Sequence, residues 1–148
     1  MSTADEFIAM LDQLDGAKDA VPILEICDLN LTTSKFKKES KDTKYIKTLL
    51  YTCDKYDIYL IEWGKHASTE FHDHASRGCA MKVLRGTLLE QKISFAAGKT
   101  NTILFTNNVS YIDDEIGFHK IKTIGNETAL SLHVYFPSNH QTTYFSST

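Results

Sequence analysis

The chain has 148 residues, of which 42% are apolar and 24% are charged, and its formal net charge is -3. This length suits one domain with a hydrophobic core, and the composition is ordinary for a soluble globular protein. A nucleic-acid-binding surface is not expected, because the densest basic stretch, Lys35–Lys44, is interrupted by Glu39 and Asp42. No apolar run approaches the roughly 18 residues that a membrane-spanning helix needs.

The N-terminus and the cysteines indicate a reducing environment. The opening stretch MSTADEFIAMLDQLDG lacks the basic and apolar regions of a signal peptide. Cys27, Cys53 and Cys79 are odd in number and widely spaced, which argues against a disulfide framework and against a CxxC zinc site. We therefore expect a cytoplasmic protein and a monomer, with no nucleic-acid or membrane partner.

The first part of the chain, residues 1–44, is expected to be partly helical. Ser2 or Thr3 can cap a short helix whose apolar side chains fall on one face, namely Phe7, Met10, Leu11 and Leu14. Gly16 is expected to end this helix. A second helical segment is predicted somewhere between Pro22 and Lys41.

From Tyr45 onward the pattern changes to short strands. These runs are rich in β-branched and aromatic residues and are separated by Gly, Asn and Asp: YIKTLLY, DIYLIEW, CAMKVLRG, LLEQKISF, NTILF, KIKTIG and ALSLHVYF. Many short strands with frequent turns are typical of an antiparallel sandwich or barrel. The sequence predicts a single mainly β domain over residues 1–148, with a helical segment at 1–44, a β-barrel at 45–137 and a short tail at 138–148.

Within the β region, His72 and His74 are separated by one residue. Alternate residues of a strand project to the same face, so these two imidazoles can share one metal ion. Histidines with this spacing are more often ordinary surface or core residues, because so short a motif is weak evidence. His119, at the start of a later strand, is a candidate third ligand, and three imidazoles suit zinc, iron, copper or nickel. His66 and His140 lie in polar contexts and are expected at the surface.

A second alternating pattern occurs in the last predicted strand, at Ser131, His133 and Tyr135. These side chains face one side of the strand and can hydrogen-bond in a row. By itself the pattern fits an ordinary core strand with a satisfied histidine and tyrosine. Beside a metal site it favours a hydrogen-bond relay.

Two long stretches carry a family resemblance: WGKHASTEFHDHASRGCAMKVLRGTLLE and YIDDEIGFHKIKTIGNETALSLHVYFP. They resemble cysteine dioxygenase and related thiol dioxygenases, which have a cupin-type antiparallel β-barrel, or jelly roll. In most cupins a metal-binding glutamate stands five residues after the second histidine, and here Cys79 occupies that position. The resemblance covers residues 45–137.

This resemblance implies a mononuclear Fe(II) site with His72, His74 and His119 as ligands. It also implies a covalent thioether between Cys79 and Tyr135 beside the iron. The implied reaction adds both atoms of O2 to the sulfur of a small thiol and gives a sulfinic acid. L-cysteine is the first candidate substrate.

The same resemblance assigns Ser131, His133 and Tyr135 to a catalytic relay. Cysteine-specific family members hold the substrate carboxylate with an arginine two residues after a tyrosine. Here Tyr45 is present, and Lys47 stands at the arginine position. Lysine offers a point charge where arginine offers a bidentate fork. The substrate is therefore L-cysteine held by Lys47, or another thiol such as 3-mercaptopropionate, cysteamine or an N-terminal cysteine.

Two further classes of function stay open at this point. One is a cupin that binds a metal or a small ligand without catalysis, and the other is a metal-dependent isomerase or decarboxylase on the same barrel. Arg77, near Cys79, is a minor alternative for the substrate anchor. Because only a short tail follows Tyr135, we expect an open site whose late aromatic cover is Tyr144 and Phe145.

Overall fold

The computed structural model describes residues 4–28, 44–74 and 76–145. Its helices are α1 (Ala4–Leu11), a 3-10 helix (Ala17–Ala20) and α2 (Val21–Ile26). Its strands are β1 (Tyr45–Thr52), β2 (Asp57–Trp63), β3 (Phe71–His72), β4 (Cys79–Arg85), β5 (Leu88–Ser94), β6 (Gly98–Leu104), β7 (Val109–Ile112), β8 (Gly117–Thr123), β9 (Ala129–Tyr135) and β10 (Tyr144–Phe145).

The helical N-terminus agrees with the sequence pattern in part. Phe7 and Leu11 are buried as predicted, whereas Met10 is exposed, because it lies at the edge of the apolar face of α1. The predicted caps, Ser2 and Thr3, lie outside the described residues, as does most of the basic stretch and of the second predicted helix, at 29–43. No helix in the described ranges is long and apolar enough to cross a membrane.

The strands form two antiparallel sheets within the described residues. Sheet A has the order β1-β2-β9-β4-β7, and sheet B has the order β10-β3-β8-β5-β6. Apart from β1–β2 and β5–β6, strands that follow one another in the chain lie in different sheets. This alternation between two sheets is the arrangement of a jelly roll. The prediction of a mainly β, antiparallel domain is confirmed.

The two sheets share an apolar core at one end of the space between them. Its side chains come from the inner faces of both sheets: Ile61, Trp63, Met81, Val83, Leu88, Leu104 and Ile121. The helices cover the outer face of sheet A, where Phe7, Leu11 and Leu24 join the cluster that contains Leu60 and Leu132. Because both faces of sheet A are covered, every residue of β9 is buried.

Candidate metal centre

Three histidines of sheet B and its connections meet at the polar end of the space between the sheets. His72 ends β3 and is the direct cross-strand partner of His119 on β8, while His74 follows β3. One ligand nitrogen of each histidine lies within 4.8 Å of the others, and all three side chains are buried. Small side-chain adjustments bring such a group to the distances of a metal site.

Hydrogen bonds determine which nitrogen of His72 and His119 carries the proton. His72 Nδ1 lies 2.8 Å from the carbonyl oxygen of Glu70, and His119 Nδ1 lies 2.7 Å from Oε2 of Glu90. Because these oxygens accept, each Nδ1 carries the hydrogen and each Nε2 keeps a bare lone pair. The two Nε2 atoms are 3.0 Å apart. A cation that binds both lone pairs removes their repulsion.

The surroundings of His74 indicate whether the three histidines fit a metal ion. Both of its ring nitrogens are buried and have no hydrogen-bond partner in the described part of the chain. A buried polar atom without a partner costs about 1–3 kcal/mol, which a metal–nitrogen bond would offset. The backbone N–H of His74 donates to Oδ1 of Asp114 at 2.8 Å, which holds the residue in place. The three histidines therefore fit a metal ion.

Burial keeps these imidazoles neutral. Desolvation lowers the pKa of His72, His74 and His119, and neighbouring imidazoles lower the pKa of the last two further. Neutral imidazole is the form that binds a metal. Three neutral nitrogen donors suit iron, zinc, copper or nickel better than calcium or magnesium, which prefer oxygen ligands.

Glu90 is a site residue that the sequence analysis missed. It lies on the inner face of β5 and is 2% exposed. One carboxylate oxygen faces His119, and the other accepts from Ser110 Oγ at 2.5 Å and lies 3.7 Å from Lys92 Nζ. Burial raises the pKa of Glu90, and Lys92 and Ser110 oppose that shift. The alternation of Leu88, Glu90 and Lys92 along β5 was the available signal.

Two glycines permit a close approach of neighbouring atoms at the starts of strands β8 and β4. Gly117, with φ of 146°, precedes His119, and a Cβ there would lie 2.0 Å from the carbonyl oxygen of Ile93. Gly78, with φ of 89°, precedes Cys79, and its Cβ would lie 2.5 Å from the Tyr111 hydroxyl. A larger residue at either position would displace a strand that carries a site residue.

Cys79 and Tyr135 lie side by side on sheet A. They are direct partners in the antiparallel register of β4 and β9, and their side chains belong to one buried cluster. Burial raises the pKa of the Cys79 thiol to about 12, although Lys47 nearby lowers it. Burial and Cys79 also raise the pKa of Tyr135 well above its usual value. The pair is a neutral thiol in contact with a neutral phenol.

The predicted relay residues are buried on the same face of β9. Ser131 Oγ lies 2.7 Å from His133 Nε2, and the rings of His133 and Tyr135 are stacked with centroids 6.2 Å apart. Trp63 Nε1 donates to Ser131 Oγ at 2.8 Å. Since an indole N–H only donates, the Ser131 hydroxyl hydrogen is available to His133 Nε2. The hydrogen bonds therefore run from Trp63 through Ser131 to His133, and the Tyr135 ring is stacked beside His133.

Lys47 presents its ammonium group to the same region. Its Nζ lies 4.4 Å from the ring centroid of Tyr59 and 4.7 Å from that of Tyr135. Burial lowers the pKa of Lys47, while Cys79 and Asp57 oppose that shift. None of the ion pairs among the described residues includes Lys47. Its charge is therefore available to an anionic ligand.

A narrow pocket is shared by Lys47, Tyr135 and His72. Its volume is about 20 Å³, and it is lined by Tyr45, Lys47, Ile61, Thr69, His72, Tyr135, Thr142 and Tyr144. This volume holds about one water molecule. A larger apolar cavity of about 260 Å³ between α1 and β1 contains none of the predicted site residues, so size does not identify the site.

We expected an open site because the tail after Tyr135 is short. The tail nevertheless covers part of the pocket. Tyr144 lines the pocket, whereas Phe145 packs against Phe118 with ring centroids 4.7 Å apart. The expected aromatic cover therefore comes from Tyr144. It narrows the pocket at its mouth.

Three other sequence candidates lie away from the pocket. His66 is exposed, and His140 is partly buried with its Nε2 3.1 Å from Oδ1 of Asp73. Arg77 is exposed and donates to the carbonyl oxygen of Asp15 at 3.2 Å. The Arg77 side chain is directed toward the N-terminal segment and is not among the residues that line the pocket.

Sequence comparison shows that this chain is similar to cysteine dioxygenases. The family model described as Cysteine dioxygenase type I matches residues 28–148. Cysteine dioxygenase type 1 of Homo sapiens is 33% identical over 91 residues, which cover 56% of this chain and 46% of that protein. The Bos taurus protein is 34% identical over the same shares, and the Danio rerio protein is 29% identical over 92 residues. The chain spans about half the length of these curated relatives.

Solved structures with the same fold are more distant in sequence. A double-stranded β-helix protein of Klebsiella pneumoniae has a TM-score of 0.64 and 11% identity, covering 81% of this chain and 100% of that one. Oxalate decarboxylase of Bacillus subtilis has a TM-score of 0.59 and 14% identity, covering 73% and 29%. The Cnp3 cupin domain of Schizosaccharomyces pombe has a TM-score of 0.55 and 12% identity, covering 68% and 70%. These similarities confirm the cupin-type jelly roll.

The carboxylate behind His119 is expected to strengthen metal binding. Glu90→Gln preserves the shape of the side chain and removes its charge, so we expect roughly 10–100-fold weaker binding of zinc(II). The measurement is a competition titration of metal-free protein against a chromophoric chelator. Glu115→Gln, at an exposed position, is the matched control. Equal zinc affinity of Glu90→Gln and the unchanged protein would contradict this role.

Proposed function

Because the chain belongs to the cysteine dioxygenase type I family, we propose that it is an iron-dependent thiol dioxygenase that converts L-cysteine and O2 into cysteine sulfinate. The overall reaction, RSH + O2 → RSO2H, places both oxygen atoms on sulfur and consumes no other substrate. The observation that carries the proposal is a single pocket shared by His72 of the histidine cluster, the unpaired Lys47 and Tyr135. These groups suit a small thiol that bears a carboxylate.

Iron(II) is the proposed metal, and His72, His74 and His119 are its proposed ligands. When bound, it supplies the redox chemistry with O2 and lowers the pKa of a thiol that binds beside it. The three ligands carry no charge, since burial lowers the pKa of each histidine. The protein therefore leaves the charge of the ion to be balanced by the substrate, which favours an anionic thiolate.

Lys47 is the proposed anchor for the substrate carboxylate, with Tyr45 beside it. Both residues line the pocket from β1, opposite His72. Burial lowers the pKa of Lys47, and a carboxylate brought next to it would raise that pKa again. The contacts of Nζ with Tyr59 and Tyr135 hold the ammonium in position before the substrate arrives.

Tyr135 is the proposed hydrogen-bond donor to the reacting groups. It lies in the pocket wall with Lys47 and His72, and its raised pKa means that the phenol keeps its proton at neutral pH. His133 stacks behind it and is hydrogen-bonded to Ser131, so the ring has little freedom to turn. An oriented donor of this kind aligns the substrate without a reorganisation step.

Oxygen uptake is the direct test of the proposed function. The iron-loaded protein is given L-cysteine, 3-mercaptopropionate, cysteamine or a peptide with an N-terminal cysteine in an oxygen electrode, and sulfinate is quantified. We expect equimolar O2 uptake and sulfinate formation, fastest with L-cysteine, and loss of both in His74→Ala. No thiol-dependent uptake after iron reconstitution would favour a non-catalytic cupin. Product formation without O2 would favour an isomerase or decarboxylase.

The role of Lys47 is tested by comparing thiols with and without a carboxylate. Lys47→Ala is expected to lower kcat/KM for L-cysteine roughly 10–100-fold, since hydrogen bonds to charged groups contribute about 1.5–3 kcal/mol. The same variant should turn over cysteamine, which lacks a carboxylate, with little change. Lys47→Arg retains the charge and is the control. Unchanged kinetics of Lys47→Ala with both thiols would exclude this anchor.

The thioether is tested by mass spectrometry. A bond between Cys79 Sγ and the ring of Tyr135 removes two hydrogen atoms, which O2 accepts. The two residues are direct cross-strand partners in one buried cluster, which is the placement that such a bond needs. After incubation with iron, O2 and L-cysteine, we expect an intact mass lower by two hydrogens and a linked peptide pair. Cys79→Ser should show neither, and an unchanged mass of the native protein would argue against the bond.

A further inference from the structure

We infer that Tyr144 sets the size of thiol that the pocket accepts and that Asp73 positions Tyr144; this inference rests on the proposed function, since it concerns the substrate of the same pocket. Neither residue belongs to the groups assigned above to metal binding or catalysis. Tyr144 is on the short strand β10, and Asp73 stands between the two histidines of the metal motif.

Tyr144 lies at the mouth of the pocket. The antiparallel pairing of β10 with β3 sets it directly opposite His72, and the two ring centroids are 5.5 Å apart. Tyr45 is another lining residue; burial raises its pKa, and Tyr144 contributes to that rise. Tyr144 is 49% exposed, as expected when one face of a ring lines a pocket and the other faces solvent.

The other two aromatic side chains that line the pocket, Tyr45 and Tyr135, are held more firmly than Tyr144. Tyr45 is in an eight-residue strand and packs on Trp63, with ring centroids 5.2 Å apart. Tyr135 ends β9, all of whose residues are buried, and packs edge-on against Tyr59 with ring centroids 5.5 Å apart. Tyr144, by contrast, is in a strand of two residues, both of them exposed. The cavity holds only about one water molecule, so a substrate enters by displacing a lining side chain. The side chain that is held least firmly, and is therefore displaced, is Tyr144.

Asp73 ties the segment that carries Tyr144 to the metal motif. Its Oδ1 accepts from the backbone N–H of Thr143 at 2.8 Å and lies 3.1 Å from Nε2 of His140. Its own N–H donates to the carbonyl oxygen of Thr143 at 3.1 Å. Two of these contacts are with Thr143, the residue before Tyr144. Asp73 is outside the group of donor atoms that can hold the metal, so we assign it a positioning role.

The consequence concerns the length of the substrate. A thiol whose carboxylate reaches Lys47 needs only a small displacement of the Tyr144 ring, whereas a longer chain would have to occupy the place of that ring. The pocket therefore selects a free, short-chain mercapto acid. A cysteine at the N-terminus of a peptide is excluded, because its next residue would occupy the position of Tyr144.

The experiment compares Tyr144→Ala with Tyr144→Phe in the iron-loaded full chain. L-cysteine, L-homocysteine and the Cys-Gly dipeptide are titrated, with quenching of Trp63, the only tryptophan of the sequence, as the binding signal. O2 uptake gives kcat/KM for the same thiols. Tyr144→Ala should raise the affinity and kcat/KM for Cys-Gly relative to L-cysteine at least roughly tenfold. Tyr144→Phe keeps the ring and should retain the original preference.

Two further variants distinguish the role of the Tyr144 ring from that of Asp73, which positions it. Phe145→Ala removes the neighbouring ring, which packs on Phe118 instead of the pocket, and should retain the original thiol preference. Asp73→Ala should shift the preference toward Cys-Gly in the same direction as Tyr144→Ala. A residue with only a general structural role would weaken all three thiols alike and leave their order unchanged.

The outcomes distinguish this inference from the proposed function. An unchanged ratio of Cys-Gly to L-cysteine affinity in Tyr144→Ala, with native circular dichroism and iron content, would overturn the role of Tyr144. An equal shift in Phe145→Ala would overturn it as well. If no thiol supports O2 uptake in any variant, the proposed function fails, and the fluorescence titrations still decide whether Tyr144 selects thiols by size.

Discussion

The cross-strand pairing of His72 with His119 is the contact on which the site depends. It joins β3 to β8 and brings two bare Nε2 atoms to 3.0 Å in a buried space. The Glu70 carbonyl and the Glu90 carboxylate hold the protons on the opposite nitrogens, so neither ring can relieve the contact by changing its tautomer. The same short strand, β3, also supports β10 and with it Tyr144.

The two sheets supply different chemistry to one space. Sheet B and its connections provide neutral nitrogen donors, whereas sheet A provides groups that hold protons: the Cys79 thiol, the Tyr135 phenol and the Lys47 ammonium. The carboxylate of Glu90 lies behind His119 and contacts its Nδ1. The sheet A side of this space therefore favours an anion.

The period-two pattern of the strands predicted much of the site. It indicated that Ser131, His133 and Tyr135 share a face, and the structure places all three on the inner side of β9. The pattern could not identify Glu90 as the partner of His119, because that contact joins β5 and β8 across a turn-rich stretch of chain. It also left Arg77 as an alternative anchor, since local spacing does not show which way a loop side chain turns.

The sequence by itself determined the fold class, the alternation of side chains along each strand and the family to which the chain belongs. These depend on local periodicity and on motifs that can be read in order along the chain. Only the tertiary structure decided which nitrogens face one another, that Trp63 donates to Ser131, and that Tyr144 narrows the pocket. Each of those depends on strand pairing between distant residues, which determines neighbours that sequence order does not contain.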